Sequence, residues 1–317
     1  MIKKKNEYTK VKKIVILKNS IGQRIDNFLK KKLKKFSKNA IYTIIRKGRI
    51  RINKKRIQAK YKLKKNDTIR IPPIYKESKK IVKKKNIPYF KKIIKNNILY
   101  EDKYLMAINK PKKIAVHGGS GINFGIIEMI RKIYPMEKNL ELIHRLDKDT
   151  SGVLLISKKK FVLKSLHNQI KNRRIKKTYT AIVHGLWPIK YKKINFPLLK
   201  TQNIFGKRLV LVSKNGKKSK TIFKVEKKYK NATILKIYPI TGRTHQIRVH
   251  TAQIGHPIIN DNRYGNKNLD KKINIKNKEL FLHALQICFL HPKTNKKISI
   301  IAKKNSINTL NLKKIFN

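Results

Sequence analysis

The segment His144-Arg145-Leu146-Asp147-Lys148-Asp149-Thr150-Ser151-Gly152 sets two carboxylates beside an arginine, short hydroxyl donors and a glycine, in a chain with 83 Lys+Arg and only 15 Asp+Glu. In so positive a protein, a carboxylate with no evident structural duty is the first candidate for chemistry. Asp147 is the sharper of the pair. Thr150, Ser151 and Gly152 follow it closely and supply donors and a pliable backbone that favour an ionised carboxylate. Such an aspartate can act as nucleophile or base and is a poor proton donor at neutral pH. The competing reading is a turn in which Asp147 or Asp149 caps local backbone groups.

A second cluster, Thr241-Gly242-Arg243-Thr244-His245-Gln246-Ile247-Arg248-Val249-His250, crowds arginines and histidines together where the usual cation is lysine. A guanidinium fork clamps a carboxylate or phosphate in one orientation, which an ammonium cannot do. Metal binding competes for His245 and His250, but the chain has no HExxH helix and a single cysteine, so no metal site is expected. No G-x-S-x-G stands in the sequence, and Ser151 has no sequence-local base. Lys110-Pro111 leads into Val116-His117-Gly118-Gly119-Ser120-Gly121, a glycine-rich loop that either approaches a phosphate or sugar edge or braces the site. It lacks the Lys-Ser/Thr ending of an ATP loop. Tyr179, among lysines in Lys176-Lys177-Thr178-Tyr179-Thr180-Ala181, reads equally as a base-stacking ring or a core aromatic. Phe281 to Ala284 and Gly255 to Gly265, with Asp261, read as pocket wall and turns.

A net charge of +68 on 317 residues recruits polyanions, with nucleic acid the natural partner. Compositional drift toward Lys, Asn and Ile explains the excess equally well, so the arginine, glycine and histidine clusters carry more weight than the lysine total. With 40% hydrophobic residues, the chain can build one medium and one small core. The lone Cys288 excludes an intramolecular disulfide, and its place between Ile287 and Phe289 reads as buried packing. The basic start has no apolar run behind it, and no stretch is apolar enough to span a bilayer. A soluble cytoplasmic protein is the expectation.

The elements that must position these residues fall into two groups. In the first, set at residues 18–75, Ile25, Phe28, Leu29 and Leu33 recur at helical spacing. Ser37 caps a second helix with Ile41, Ile44 and Ile45, and Gly48 ends it. Arg49–Asn53 and Asp67–Ile71 read as strands, with a turn at Asn53-Lys54. Residues 76–97 read as a basic linker with a short helical turn near Phe90 to Ile94. The second group, 98–302, mixes strands at Leu105–Asn109, Val153–Ser157, Tyr179–Val183 and Ala232–Ile237 with helices at Phe124–Ile133 and Phe161–Ile170. Residues 303–317 form a tail without signal. The mixture lacks the alternation of a dinucleotide fold and favours α+β with a mostly antiparallel or mixed sheet.

HRLDKDTSG at 144–152, KKTYTAIVHG at 176–185, TGRTHQIRVH at 241–250 and FLHA at 281–284 together resemble the pseudouridine synthases of the family that modifies large-subunit ribosomal RNA and some transfer RNA. GQRIDNFLKKKL and IRKGRIRINKKR resemble an S4-type RNA-binding domain. The resemblance runs from about residue 11 to 302. It implies a pseudouridine synthase fold, α+β with a large mixed, mostly antiparallel sheet, preceded by a small S4-like α/β module. It implies isomerisation of specific uridines in 23S ribosomal RNA. The alternatives are other ribosomal or transfer RNA uridines, or a noncatalytic S4-type assembly factor. By the same resemblance Asp147 is the catalytic carboxylate, and Arg248 pairs with it and holds it ionised. Tyr179 stacks on the target base and helps remove its C5 proton. Leu282 packs in the apolar wall, Arg145 fills the space left by the everted uridine, and Arg243 and His245 bind substrate. Exchanging a C–N for a C–C glycosidic bond needs no redox step or group donor, so no cofactor is implied. The implied partner is 23S ribosomal RNA or its assembly precursor, met by a monomer with no membrane and no obligate protein partner.

Overall fold

The computed structural model describes residues 11–17, 20–33, 36, 38–73, 87–118, 124–202, 208–273, 278–302 and 315–316. The chain divides into two compact units, Met1–Lys83 and Lys84–Asn317.

The first unit contains β1 (Lys12–Val15), α1 (Ile25–Lys32), α2 (Lys38–Arg46), β2 (Arg51–Ile52), β3 (Lys55–Arg56) and β4 (Thr68–Ile71). Its antiparallel sheet runs β1-β4-β2-β3. Ile25, Phe28 and Leu29 of α1 meet Ile41 and Ile45 of α2 over Ile50, Ile52, Ile69 and Ile71 of the sheet region. Gly48 closes α2 in the left-handed region at φ +65. Its N–H donates to Ile45 O (2.9 Å) and that of Arg49 to Ile44 O (3.0 Å), the paired bonds that end a helix at glycine. Asn53 and Lys54 both take positive φ, the two-residue turn that matches strand twist. The sequence places this module from residue 18, whereas β1 precedes it, pairs with β4, and leads into Ile16, which is 1% exposed. The expected cap Ser37 lies outside the described residues.

The second unit contains α3 (Ile87–Lys95), β5 (Ile98–Glu101), β6 (Leu105–Lys110), α4 (Ile126–Ile133), β7 (Glu141–Leu142), β8 (Ser151–Ser157), α5 (Lys160–Lys171), β9 (Lys176–His184) and β10 (Lys193–Ile194). There follow β11 (Leu198–Gln202), β12 (Arg208–Val212), β13 (Thr221–Lys228), β14 (Ala232–Pro239), α6 (Gln246–Gln253), α7 (Lys267–Ile273), β15 (Leu282–Leu290) and β16 (Lys297–Ile301). Ten strands form one sheet, β10-β13-β14-β9-β15-β8-β6-β5, with β16 on β15 and β7 on β8. Among the described residues only β8 and β15 pair in parallel; the fold is α+β with a large mixed, mostly antiparallel sheet.

The alternation of β6 and β8 explains the two layers. Met106, Ile108, Leu154 and Ile156 face α3 and α4, while Leu105, Ala107, Val153 and Leu155 face α5, so these strands are apolar on both sides. A third cluster gathers Trp187, Phe223, Leu235 and Phe281 around β9 and β14.

Three readings are corrected. Residues 87–95, expected in the linker with a short turn, form the full helix α3. Ile94 is wholly buried there and Phe90 stacks on Phe124 at 5.7 Å. Cys288 is half-buried rather than core, because the period of two that buries Ile287 and Phe289 turns the residue between them to the other face. Phe316, in the tail read as uninformative, is 1% exposed and lies 5.8 Å from the ring of Tyr229; residues 303–314 and 317 lie outside the described residues.

Candidate active site

Asp147 sits in the loop entering β8, at the end of the sheet where the parallel neighbour β15 also begins. Two features fix that loop. Gly152 takes φ +111, and a Cβ there would strike the backbone of Ala284, so only glycine lets β8 and β15 approach this closely. Lys110, fully buried, donates from Nζ to Pro111 O (2.7 Å), Ile114 O (2.9 Å) and Lys148 O (3.0 Å). Three carbonyls thus satisfy its three N–H groups and pin the residue after Asp147. Burial brings the Lys110 pKa down to about 7, against the opposing pull of Asp149 and Asp147.

Arg248 comes from α6, whose first residue follows His245 in the left-handed conformation (φ 53). Gln246 ties this turn together. Its Oε1 accepts from Thr241 Oγ1 (2.7 Å) and Arg243 N (3.0 Å), and its Nε2 donates to Lys220 O (3.0 Å) and Thr221 Oγ1 (2.8 Å). His250 lies between Thr221 Oγ1 (3.0 Å) and Ser219 Oγ (2.8 Å), fully buried, and burial lowers its pKa to about 4. Much of the conspicuous motif therefore anchors the helix, while Arg248 hydrogen-bonds the carboxylate and His245 approaches it.

The guanidinium of Arg248 uses all three of its nitrogens. Nε and Nη2 each donate to Asp261 at 2.7 Å, and Nη1 donates to Asp147 Oδ2 at 3.1 Å. Asp261 also accepts the N–H groups of Arg263 (2.9 Å) and Tyr264 (3.1 Å) on Oδ1. Burial alone would lower the Arg248 pKa; the hydrogen bonds and charge of Asp261, then of Asp147, more than offset it and raise the value. Burial would likewise raise Asp261, and Arg248 outweighs it, leaving that carboxyl below its ordinary range. This bidentate pair orients the third nitrogen toward Asp147, whose side chain is 27% exposed.

His245 contacts the Tyr264 hydroxyl through Nδ1 (2.7 Å) and comes within 3.8 Å of Asp147 Oδ2 through Nε2. The Tyr264 hydroxyl also accepts from Val210 N (3.1 Å); in the tautomer where it donates its own proton to Nδ1, the ring proton sits on Nε2 and faces the aspartate. Burial lowers the His245 pKa, so this is a neutral imidazole rather than an ion pair. Tyr179, half-buried on β9, has its pKa raised by burial and by Asp147.

All seven residues singled out in the sequence, Asp147, Tyr179, Arg248, Arg145, Leu282, Arg243 and His245, line one cavity of about 420 Å³. Leu282, 3% exposed, supplies apolar wall. Arg145 and Arg243 are exposed at it, the latter donating to Lys218 O at 3.2 Å. Asp261 and Lys110 were named in the sequence, in a pocket wall and a turn, without the roles the structure gives them. Asp261 carried a usable signal, since it too is one of the few acids. Ser151 does meet a base, His283 Nδ1 at 2.8 Å, but that ring is buried and spends Nε2 on Ala302 O (2.8 Å), which makes the pair structural. In the glycine-rich segment, Glu128 accepts from the N–H groups of Gly118 (3.0 Å) and Gly125 (2.9 Å), and residues 119–123 lie outside the described set.

A cavity with an aromatic and an aliphatic wall, arginines exposed along it and one paired carboxylate suits a nucleoside turned out of RNA. Residues 104–253 match the RNA pseudouridylate synthase family, and residues 23–69 match the S4 domain. The chain belongs to the RNA pseudouridine synthase family, enzymes that isomerise uridine. It is 54% identical to the ribosomal large subunit pseudouridine synthase C of Buchnera aphidicola subsp. Schizaphis graminum, over 96% of this chain and 99% of that one. It is 46% identical to the protein of the same name from Escherichia coli (strain K12), over 94% of each. Among solved structures, Human RNA Pseudouridylate Synthase Domain Containing 4 matches with a TM-score of 0.56 at 24% identity, covering 70% of this chain and 94% of that chain. That likeness is one of fold. Among the described residues, no helix is long and apolar enough to cross a membrane.

Proposed function

We propose that this chain converts specific uridines of 23S ribosomal RNA, or of an assembly precursor, to pseudouridine, with Asp147 as the catalytic carboxylate. The observation that carries the reading is Arg248, held by Asp261 on two nitrogens and turned to Asp147 with the third. The relatives named for the large ribosomal subunit and the S4 match support the substrate class.

The target uridine must leave its stack, at about a few kcal/mol. Tyr179 offers its ring to the base and Leu282 an apolar backing, while Arg145 enters the vacated space in the RNA. Asp147 then either attacks C1′ or removes the C2′ proton to give a glycal. On both routes the N1–C1′ bond breaks, uracil turns in the cavity, and C5 bonds to C1′, either displacing the Asp147 carboxylate from C1′ or with the proton held by Asp147 returned to C2′. C5 then loses its proton and N1 gains one, so atoms balance without a cofactor. The upward displacement of the Tyr179 pKa keeps it a neutral phenol, which supports stacking over service as a ready-ionised base. His245 brings Nε2 toward Asp147, and Arg243 faces the RNA. On this reading the protein works in the cytoplasm as a monomer with no obligate protein partner.

The test is incubation with 23S ribosomal RNA followed by mapping of pseudouridine. Wild type forms it at discrete sites without release of free uracil. Asp147→Asn forms none while its RNA affinity stays within about twofold, as expected when only a transition-state interaction is removed. A wild type that binds RNA and leaves every uridine intact overturns the activity; near-normal turnover by Asp147→Asn overturns the assignment.

A further inference from the structure

Two nitrogen groups on the cavity wall have no part in the chemistry above. His144 precedes Arg145, and its Nε2 accepts the Leu155 N–H at 3.2 Å. The proton of the neutral ring therefore sits on Nδ1, and that buried atom has no hydrogen-bond partner among the described residues. Lys177 lies on β9 two residues before Tyr179, hence on the same face and about 7 Å along the strand. Both residues line the cavity that holds Asp147. Among the described residues Asp147 is the single acid in that lining, and it is already engaged by Arg248.

From the buried Nδ1–H of His144 and the ammonium of Lys177, neither of which has a hydrogen-bond partner among the described residues, we infer that they form a subsite for a phosphodiester of the RNA strand flanking the everted uridine. The inference rests on the RNA substrate of the preceding section. A buried donor without an acceptor is costly, and an ammonium without a counter-charge more so; one anionic oxygen pair relieves both. Burial, with Lys177 beside it, holds His144 neutral at a pKa of about 3, and burial lowers that of Lys177 itself. An arriving phosphate supplies the counter-charge the lysine lacks, giving one charge-assisted and one neutral hydrogen bond. A carbonyl of uracil would satisfy the histidine and leave the ammonium without its charge partner. The subsite fixes where the strand enters, and so which nucleotide meets Asp147.

The test uses the full chain and a short RNA stem-loop that wild type isomerises, carrying a neutral methylphosphonate at each linkage around the target in turn. Pseudouridine formed by wild type in unmodified RNA establishes the underlying activity before any variant is compared; its absence would sink that activity itself. One linkage is expected to cost wild type about tenfold or more in Kd. Lys177→Met should show that loss on unmodified RNA, no further loss at that linkage, and a salt slope lower by about 0.7 to 0.9. His144→Phe should weaken binding less and leave the slope unchanged. Removing a desolvated charge does not threaten folding, and an unchanged Tm of Lys177→Met verifies it; His144→Phe strips the Leu155 N–H of its acceptor and is assayed well below its own Tm. If wild type is active and Lys177→Met keeps both its slope and its sensitivity at every linkage, the phosphate subsite is overturned. A loss confined to kcat would assign the lysine to the base carbonyls and equally overturn it.

Discussion

At the scale of single residues, the scarcity of acids did the work. In a chain of +68 charge, asking why an aspartate is present singles out Asp147, and the same question asked of Asp261 would have found the residue that aims Arg248. It was hidden because its partner lies 13 residues away across a helix and a turn, with no spacing rule to connect them. Replacing it by Asp261→Asn removes one anionic oxygen and sets an amide N–H against the arginine fork. Breaking a buried pair from one side costs about 3 to 5 kcal/mol, so Tm should fall. A guanidinium displaced by about 1 Å should lower kcat by roughly 10² with KM for RNA nearly unchanged. Single-turnover assays well below the melting temperature check this. A folded Asp261→Asn with full kcat would reduce Asp261 to a purely structural residue.

At the scale of elements, legibility followed contrast between faces. The strands β6 and β8 showed as short apolar runs and α5 as a helical stripe. Helix α6 went unseen because Gln246 to Thr251 are all buried, so polar and apolar residues share the inside and no stripe exists to read. Strand β15 was visible only as its opening motif, and the missed β1 is a lysine-rich edge strand. The pairing of β8 with β15 also sets the active-site loop, because Gly152 brings them together at the end where Asp147 and Leu282 converge. Gly152→Ala puts a methyl group against the Ala284 backbone at a φ of +111. Strain and overpacking together should cost about 2 to 5 kcal/mol. Urea unfolding measures the cost, and activity should fall further than the unfolded fraction accounts for. A variant of wild-type stability would mean that the two strands have room to separate.

At the scale of the whole molecule, charge and buried histidine both act on stability as pH falls, and salt separates them. His250 and His283 are 0% and 1% exposed, and burial lowers each pKa from 6.5 to about 4. Their folded values lie below the unfolded one, so the unfolded chain binds more protons between pH 4 and 6.5 and stability drops as the solution is acidified through that window. Each contributes about 1.4 kcal/mol per pH unit, and His144, held at about 3, and His245, also lowered by burial, add to the same slope. Surface repulsion among 83 Lys+Arg also grows as carboxylates protonate, but it is screened once the Debye length shrinks from about 10 to about 3 Å in 1 M salt. The buried rings are not. Trp187, the single tryptophan, is 3% exposed in the second unit, which holds both histidines, so its fluorescence follows the unit concerned. Urea midpoints from pH 7 to 5 in 1 M salt should therefore retain a steep decline. His250→Gln, which keeps a neutral donor and acceptor for Ser219 and Thr221, should remove its own share, about 1.4 kcal/mol per pH unit. A flat profile at high salt would show that acid sensitivity comes from surface charge and that neither ring titrates on unfolding.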